Sequence, residues 1–350
     1  MAAATAGRKR RLAARGLRPL RMSSTVIDAA GGNAIDARFR ELDLNMTHSD
    51  ISFSRPVQPN RKLLVLGATS LIGRFLTPRL EGSGLEVTAI SRTPQAASAS
   101  VRWLKGDLSD PDLAQRLPQV DAVISLSPIW LLPQALPALT ATGARRLIAF
   151  SSTSRLTKIA SSVAYERGVA ERLADGEDRT IAACVAAGIA WTIFRPTLIY
   201  AEGRDQNVSR LAGLISRVGV LPLSGAGAGL RQPVHADDLA SAVLAALDAP
   251  ASFDAIYALP GGETLTYRDM AIRVFEGLGR KPRVLSVPPA VWRLGLRAAS
   301  PLLPGATAGM GDRMSADLTF DGAPAAAAFG WSPRPFHPDF RLGRRNGGIG

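Results

Sequence analysis

The residues with most chemistry to offer begin at Leu63. The run Leu63-Leu64-Val65-Leu66-Gly67-Ala68-Thr69-Ser70-Leu71-Ile72-Gly73 is an apolar stretch that feeds a glycine turn and opens a helix. Gly67 permits the tight turn and Gly73 lets the helix pack closely on a sheet. Free N–H groups at the helix start, with the helix dipole, suit a pyrophosphate. The middle position of the Gly-x-x-Gly-x-x-Gly spacing is Ser70. Its β-carbon narrows the approach, while its hydroxyl has a proton to donate to phosphate. A tight strand-to-helix turn with no ligand is the plainer reading, but the context favours a dinucleotide. An acid for the ribose 2′-hydroxyl is normal after the second strand of such a unit. This chain has Ser91-Arg92 there, and Glu86 comes too early. A guanidinium pairs bidentately with a 2′-phosphate, so Arg92 points to NADP rather than NAD. The alternative is a solvated surface arginine. Asp107, after the third strand, is placed to accept from an adenine amino group or to cap a helix, a job for which Ser109 is also available.

The elements that must position these groups follow an alternating pattern from Lys62 onward. Strands are expected at Leu63–Leu66, Leu85–Ile90, Val101–Leu104, Ala122–Leu126, Leu147–Phe150 and Trp191–Phe194. Helices fall between them: one through Leu71, Phe75, Leu76 and Leu80, then Leu113–Leu117, Ile129–Leu139 and a long one over Val163–Ala187. Strands alternating with helices imply an α/β fold, a Rossmann-type doubly wound parallel sheet with right-handed crossovers. Residues 61–200 form this nucleotide-binding domain. After Arg195-Pro196-Thr197 the pattern loosens into a helix at Val208–Val218, a glycine loop at Gly225–Gly229, a helix at Asp237–Leu247, a strand at Ala255–Leu259 and a helix at Tyr267–Leu278. Residues 201–340 read as a smaller α+β lobe interleaved with the sheet and built over the carboxyl ends of its strands, where ligands bind in open α/β sheets.

Four stretches together resemble the extended and atypical short-chain dehydrogenase/reductases, the NAD-dependent epimerase/dehydratase family. They are Gly67–Gly73, Phe150-Ser151-Ser152-Thr153, Phe194-Arg195-Pro196-Thr197-Leu198-Ile199-Tyr200, and Pro233-Val234-His235-Ala236-Asp237-Asp238-Leu239-Ala240. A weaker fifth is Phe329-Gly330-Trp331-Ser332-Pro333-Arg334. The resemblance spans roughly residues 61–336. It implies cofactor contacts at Gly67, Thr69, Ser70, Leu71, Ile72 and Gly73, at Arg92, Asp107 and Leu108, and at Pro196. It also implies chemistry by a Ser/Thr, a Tyr, and a Lys four residues after the Tyr, the lysine lowering the phenol pKa for proton transfer. Ser152 or Thr153 matches the first role. Tyr165 is the one tyrosine near the right place, yet Val169 stands where the lysine belongs. Arg167 is always charged and cannot trade protons, and Lys158 would have to fold back from the preceding loop. A helix-surface aromatic is an equal reading of Tyr165. Tyr200 and His235 are second choices for an acid/base, His235 fitting a lobe-interface hydrogen bond better.

Two functions follow. One is an NADP-dependent reductase, epimerase or dehydratase acting on a nucleotide-sugar-like or other hydroxyl/carbonyl substrate. Its anionic group would be held by the amides of Gly225–Gly229 and by Arg231, with Tyr200 also in the substrate site. A flexible linker followed by a surface arginine is the plainer reading of that stretch. The other is a protein that holds NADP(H) as a structural or sensing ligand, as the accessory short-chain-dehydrogenase-like subunit of respiratory complex I implies by resemblance. A homodimer through the helices flanking the sheet is a further implication.

Composition bounds the rest. The chain has 350 residues, 46% hydrophobic and 20% charged, which excludes a disordered or collagen-like chain. A single cysteine, Cys184, excludes an intrachain disulfide and a Cys-based zinc site. His48, His235 and His337 lie far apart, so no metal site is expected. The net charge of +13 is concentrated at the ends: residues 1–21 carry seven basic residues and no acid, and Arg341, Arg344 and Arg345 follow the last acid. The folded middle is nearly balanced, which argues against nucleic-acid binding. Residues 1–60 read as a basic, disordered extension, either a transit peptide, a tail, or an over-extended start ahead of Met22 or Met46. Residues 341–350 read as a basic tail. The longest apolar stretch, Ala122–Ala144, contains Pro128, Pro133 and Pro137 and reads as core rather than as a membrane span. Val284–Gly305 is also apolar but is interrupted by Arg293 and Arg297, so it lies at most on a membrane surface. A cytoplasmic location is expected.

Overall fold

The computed structural model describes residues 61–341 apart from 97, 99, 300–310 and 312. The expected basic extension over 1–60, and the tail beyond Arg341, lie outside the described residues. Seven parallel strands form the central sheet: β1 (Lys62–Leu66), β2 (Glu86–Ser91), β3 (Val101–Lys105), β4 (Ala122–Ser125), β5 (Arg146–Phe150), β6 (Ala190–Pro196) and β11 (Ala255–Leu259). Their order is β11-β6-β5-β4-β1-β2-β3. The chain winds outward from β1 in one direction and from β4 in the other, so the switch point lies between these two. The crevice at the carboxyl ends of such a pair is where a doubly wound sheet takes its ligand.

β1 shows why the strands read as unbroken apolar runs. Leu63 and Val65 enter one core, and Leu64 and Leu66 enter the other, because successive side chains leave opposite faces of a strand and both faces of this parallel sheet are covered. On the first face lie α1 (Gly73–Glu81), α7 (Ala236–Leu247) and α10 (Ala323–Phe329). On the second lie α2 (Leu113–Arg116), α3 (Leu132–Ala141) and α5 (Ala164–Ala187), with the one-turn α4 (Ser154–Thr157) leading into α5.

Two expectations need adjustment. The helix expected over Ile129–Leu139 opens as a 3-10 turn, Ile129–Leu131, and becomes α-helical only at Leu132, with Pro133 in its first turn. Proline is tolerated there because the first amides of a helix have no intrahelical acceptor. The strand Ala255–Leu259, grouped by the sequence with the lobe, joins the central sheet instead. Ile256 pairs with Ile193 of β6, and Leu259 is fully buried in the first core. The chain thus leaves the sheet after β6, builds a lobe, and returns to it.

The lobe is made of α6 (Val208–Val218), α8 (Tyr267–Gly277) and short strand pairs: β7 (Ile199–Tyr200) with β10 (Val234–His235), β9 (Leu230–Arg231) with β12 (Leu265–Thr266), and β8 (Leu221–Ser224) with β13 (Val284–Val287). It has its own core, to which Tyr200, Ile215, Phe275 and Phe336 contribute. An eleven-residue helix, α9 (Pro289–Ala299), follows β13. Among the described residues no helix is long and apolar enough to cross a membrane.

Candidate functional site

The glycine turn is built to tight tolerances. Gly67 has φ +72°, and a β-carbon there would stand 2.9 Å from the Ser127 amide nitrogen; a β-carbon on Gly73 would stand 2.1 Å from the Ala68 carbonyl oxygen. Both are positions that only glycine fills without moving backbone. Ser70 holds the turn from inside. Its N–H donates to the Gly67 carbonyl (2.9 Å), and its hydroxyl oxygen accepts from the Gly73 N–H (3.2 Å). The side chain therefore takes over one helix-start amide, while its own proton remains unspent. None of these bonds uses the amides of Leu71 or Ile72. Thr69 is exposed, Leu71 half-buried, and Ile72 buried at the cleft wall.

Beyond β2, Ser91 is buried and accepts from the Thr93 N–H (3.2 Å), while Arg92 is exposed. Asp107 accepts from both the N–H (2.9 Å) and the hydroxyl (2.6 Å) of Ser109. These two bonds, with the nearby Arg92 charge, hold its carboxyl below the ordinary aspartate value. The residue at the cap position of α2 is Asp112, so Asp107 is not spent on that helix, and its charge faces Arg92 at the sheet edge. Leu108 packs against the second core.

A cleft of about 300 Å³ opens at the carboxyl ends of β4, β5 and β6. Its walls come from Ile72 after the glycine turn, from the segment Leu126 to Trp130 after β4, from Phe150, Ser151, Ser152 and Ser154 after β5, from Val169 and Leu173 on α5, and from Pro196 and Ile199. Of the residues assigned from sequence, Ile72, Ser152 and Pro196 are brought together here. Ser152 accepts from the Ser154 N–H (3.1 Å) and retains its proton. Thr153 is turned away: it is buried, and both its hydroxyl (3.1 Å) and its N–H (3.2 Å) donate to the Pro196 carbonyl. It ties the loop after β5 to the end of β6.

Tyr165 lies elsewhere. Its side chain is 74% exposed, and it is not part of the cleft wall. The positions that α5 does present to the cleft are Val169 and Leu173, four residues apart and both apolar. Among the described residues no tyrosine, lysine, histidine or charged residue lines this cleft. Lys158 ends the short helix α4 and is half-buried outside the cleft; burial, then the Arg313 charge, push its ammonium down.

Four residues farther along the same stripe of α5 is Glu177, fully buried. It accepts from the Arg195 Nε (2.9 Å) and Nη2, from the Ser151 hydroxyl, and pairs with Arg155 (2.8 Å). One carboxylate thus joins β6, α4 and the serine loop that floors the cleft. Sequence reasoning missed it, although the Arg195-Pro196 pair offered a signal: a buried arginine at a strand end requires an acid, and the 169–173–177 spacing places one.

The lobe residues assigned to substrate are occupied with structure. Tyr200 is 2% exposed and packs edge-on against His235 and Phe336, and burial pushes its phenol well up. Arg231 is buried beneath the lobe, donating to the carbonyls of Leu230 (2.6 Å), Ala316 (2.7 Å) and Arg313. Arg313 in turn pairs with Glu166 at the start of α5, so Arg231 secures the segment that ties the lobe to α5. In the glycine loop, the N–H of Gly225 donates to Val287 (2.8 Å) and that of Gly229 to Met314 (3.0 Å), which removes two amides from an anion site. His235 accepts at Nδ1 from the Asp237 N–H (3.1 Å), capping α7, so its Nε2 carries the proton toward Glu202 (3.2 Å). Both nitrogens are used in the lobe interface. Burial is the largest single influence and works to raise the Glu202 carboxyl, but its bond to His235 and its bonds to backbone N–H groups together hold it below the ordinary glutamate value.

Residues 67–250, just over half of the chain, match the sequence model of a family described as NAD(P)H-binding. Over 258 residues the chain is 28% identical to the 2-alkyl-3-oxoalkanoate reductase of Stenotrophomonas maltophilia, covering 64% of this chain and 77% of that enzyme. Over 99 residues it is 34% identical to the mitochondrial NADH dehydrogenase [ubiquinone] 1 alpha subcomplex subunit 9 of Arabidopsis thaliana, covering 28% of this chain and 24% of that subunit. Its fold is similar to that of DesIV, the dTDP-glucose 4,6-dehydratase of Streptomyces venezuelae solved with NAD, with a TM-score of 0.61 at 18% identity over 81% of this chain and 97% of that one.

Proposed function

The chain belongs to the NAD(P)H-binding family, and we propose from that premise that it holds a nicotinamide dinucleotide as a bound ligand without the tyrosine–lysine proton relay of the epimerase/dehydratase fold. The observation that carries this reading is the pair Val169 and Leu173, the two α5 residues in the cleft wall. An apolar wall can pack a nicotinamide ring but cannot exchange a proton with a sugar hydroxyl or a carbonyl. The glycine cradle fits the group, since neither Gly67 nor Gly73 has room for a β-carbon. Residues 67–73 would hold the pyrophosphate, Ser70 through its unspent proton. Arg92 would pair with a 2′-phosphate, which favours NADP, and Asp107 would take the adenine end. The bound nucleotide would bring hydride-transfer capacity; this chain's residues bind it, orient it and exclude water from it. We place the chain in the cytoplasm.

The test is nucleotide retention against turnover. NADPH should shift thermal unfolding upward, because a ligand that binds only the native state stabilises it. A panel of nucleotide sugars and 3-oxo acids should leave the NADPH absorbance unchanged. Steady oxidation of NADPH with any member of that panel would overturn the reading.

A second reading, reductase or epimerase activity on such a substrate, is favoured by the likeness to the oxoalkanoate reductase over 77% of that enzyme's length. Ser152 would then orient the substrate oxygen. The proton would have to come from outside the cleft wall, and Tyr165→Phe separates the cases: activity lost in that variant places the tyrosine in the chemistry.

A further inference from the structure

Farthest along the chain from the glycine turn, the lobe carries a surface that nucleotide binding does not use. Residues 277–311 contain five basic residues (Arg280, Lys281, Arg283, Arg293 and Arg297) and no acid. Within this stretch β13 and α9 expose large apolar side chains: Leu285 is 56% exposed, Val291 55% and Leu294 69%. The helix is seated and not loose, since Trp292, on its other side, packs against the lobe core. Its outward side chains Val291 and Leu294 are three residues apart, one helical stripe. Lys281 and Arg283 are exposed immediately before β13.

We infer that this face docks on an anionic lipid bilayer. Apolar residues on the outer side of a short helix, with exposed cations on the stretch of chain that leads into it, are matched by an interface that buries the apolar groups at headgroup depth and neutralises the charge. The other occupants fit less well. A second copy in a two-fold contact would bring the exposed Lys281 and Arg283 of both copies into one interface. The chain's own residues 1–21 carry seven basic residues and no acid, and would be repelled as well. A nucleic acid would satisfy the cations but leave Leu285, Val291 and Leu294 in water.

Full-length protein sedimented with vesicles tests this. Binding is expected to phosphatidylcholine vesicles that contain phosphatidylglycerol and not to phosphatidylcholine alone. In the full chain, Val291→Asp with Leu294→Asp should weaken partitioning about tenfold or more, since it removes the inserted groups. Lys281→Glu with Arg283→Glu should weaken it by about tenfold. Both double variants should keep the parent's thermal unfolding midpoint, because all four side chains lie at the surface. Failure to bind the anionic vesicles overturns the proposal. So does binding that neither double substitution weakens, which would assign it to the basic N-terminal stretch. A dimer that Leu294→Asp converts to monomer, without vesicle binding, would show a second copy on this face and overturn it too. None of these readouts involves nucleotide, so the inference stands or falls apart from the proposed function.

Discussion

One wall of the cleft, at the glycine turn, has no room to vary. A methyl group added at Gly73 would stand 2.1 Å from a carbonyl oxygen, and Ser70 braces the same turn from within. Another wall, on α5, rests on side chains: those that face the cleft are Val169 and Leu173, and the nearest tyrosine in sequence lies in solvent. In the proposed function the first wall grips a pyrophosphate; the second is the part that would move a proton. Binding and chemistry are therefore separable in this fold, because one rests on main-chain geometry and the other on two side chains. Below the α5 wall, Glu177 shows that the helix itself is still tied firmly to the sheet.

The sharpest way to break this contrast is to attack the tie below α5. Glu177→Gln leaves Arg155 and Arg195 beside a neutral group in a buried site, and removing one partner of a buried pair costs about 3–5 kcal/mol. A urea titration should show that loss. If stability falls by less than about 1 kcal/mol, Glu177 is not the anchor of α5. Next comes the glycine wall. Gly73→Ala forces the turn open, and overpacking of this kind costs about 1–3 kcal/mol; NADPH binding by fluorescence should disappear while the fold persists. Retained affinity would mean that the turn is not the grip.

A smaller and more selective effect belongs to Arg92. Arg92→Asp should weaken NADPH about tenfold or more, the size of a lost charge-assisted hydrogen bond, and leave NADH little changed. Equal loss of both nucleotides would remove Arg92 as the reader of the 2′-phosphate. The smallest effect is a pH dependence. The Asp107 carboxyl is held below its ordinary value chiefly by Ser109. A carboxyl depressed in the folded state adds stability that is present above the unfolded value, about pH 3.9, and is lost as pH falls through the folded value. In Asp107→Asn, the loss of stability on acidification below about pH 4 should be slightly shallower than in the parent. Because the group is solvent-screened the difference is small, and identical acid profiles would show that its bonds to Ser109 do not outlast solvent competition.

How far the residues alone reach differs by element. Helix α6 and strand β11 were readable to the residue and strand β1 to within one, since a buried parallel strand is a short apolar run and a surface helix repeats at 3.6. The partner of β11 was not, because an apolar run does not say which strand it will lie beside. The glycine turn was readable because its spacing is local. Tyr165 was harder to read: at four-residue spacing it shares a stripe with Val169 and Leu173, but it stands in the first turn of α5, where its side chain is exposed and outside the cleft wall. Arg231 and Tyr200 looked like ligand contacts by residue type; in the structure their polar and aromatic groups are consumed inside the lobe.

The linear order of residues by itself determined the alternation of strands and helices, the cradle at Gly67 and Gly73, and the lack of a lysine four residues after Tyr165. These are properties of neighbours along the chain. Only the tertiary structure decided that Val169 and Leu173 wall the cleft, that Glu177 binds two arginines from different elements, and that Arg231 donates to carbonyls inside the lobe. Those outcomes depend on which surfaces meet when helices dock on a sheet, and burial makes each such meeting specific, since a buried charge must find its partner wherever the chain brings one.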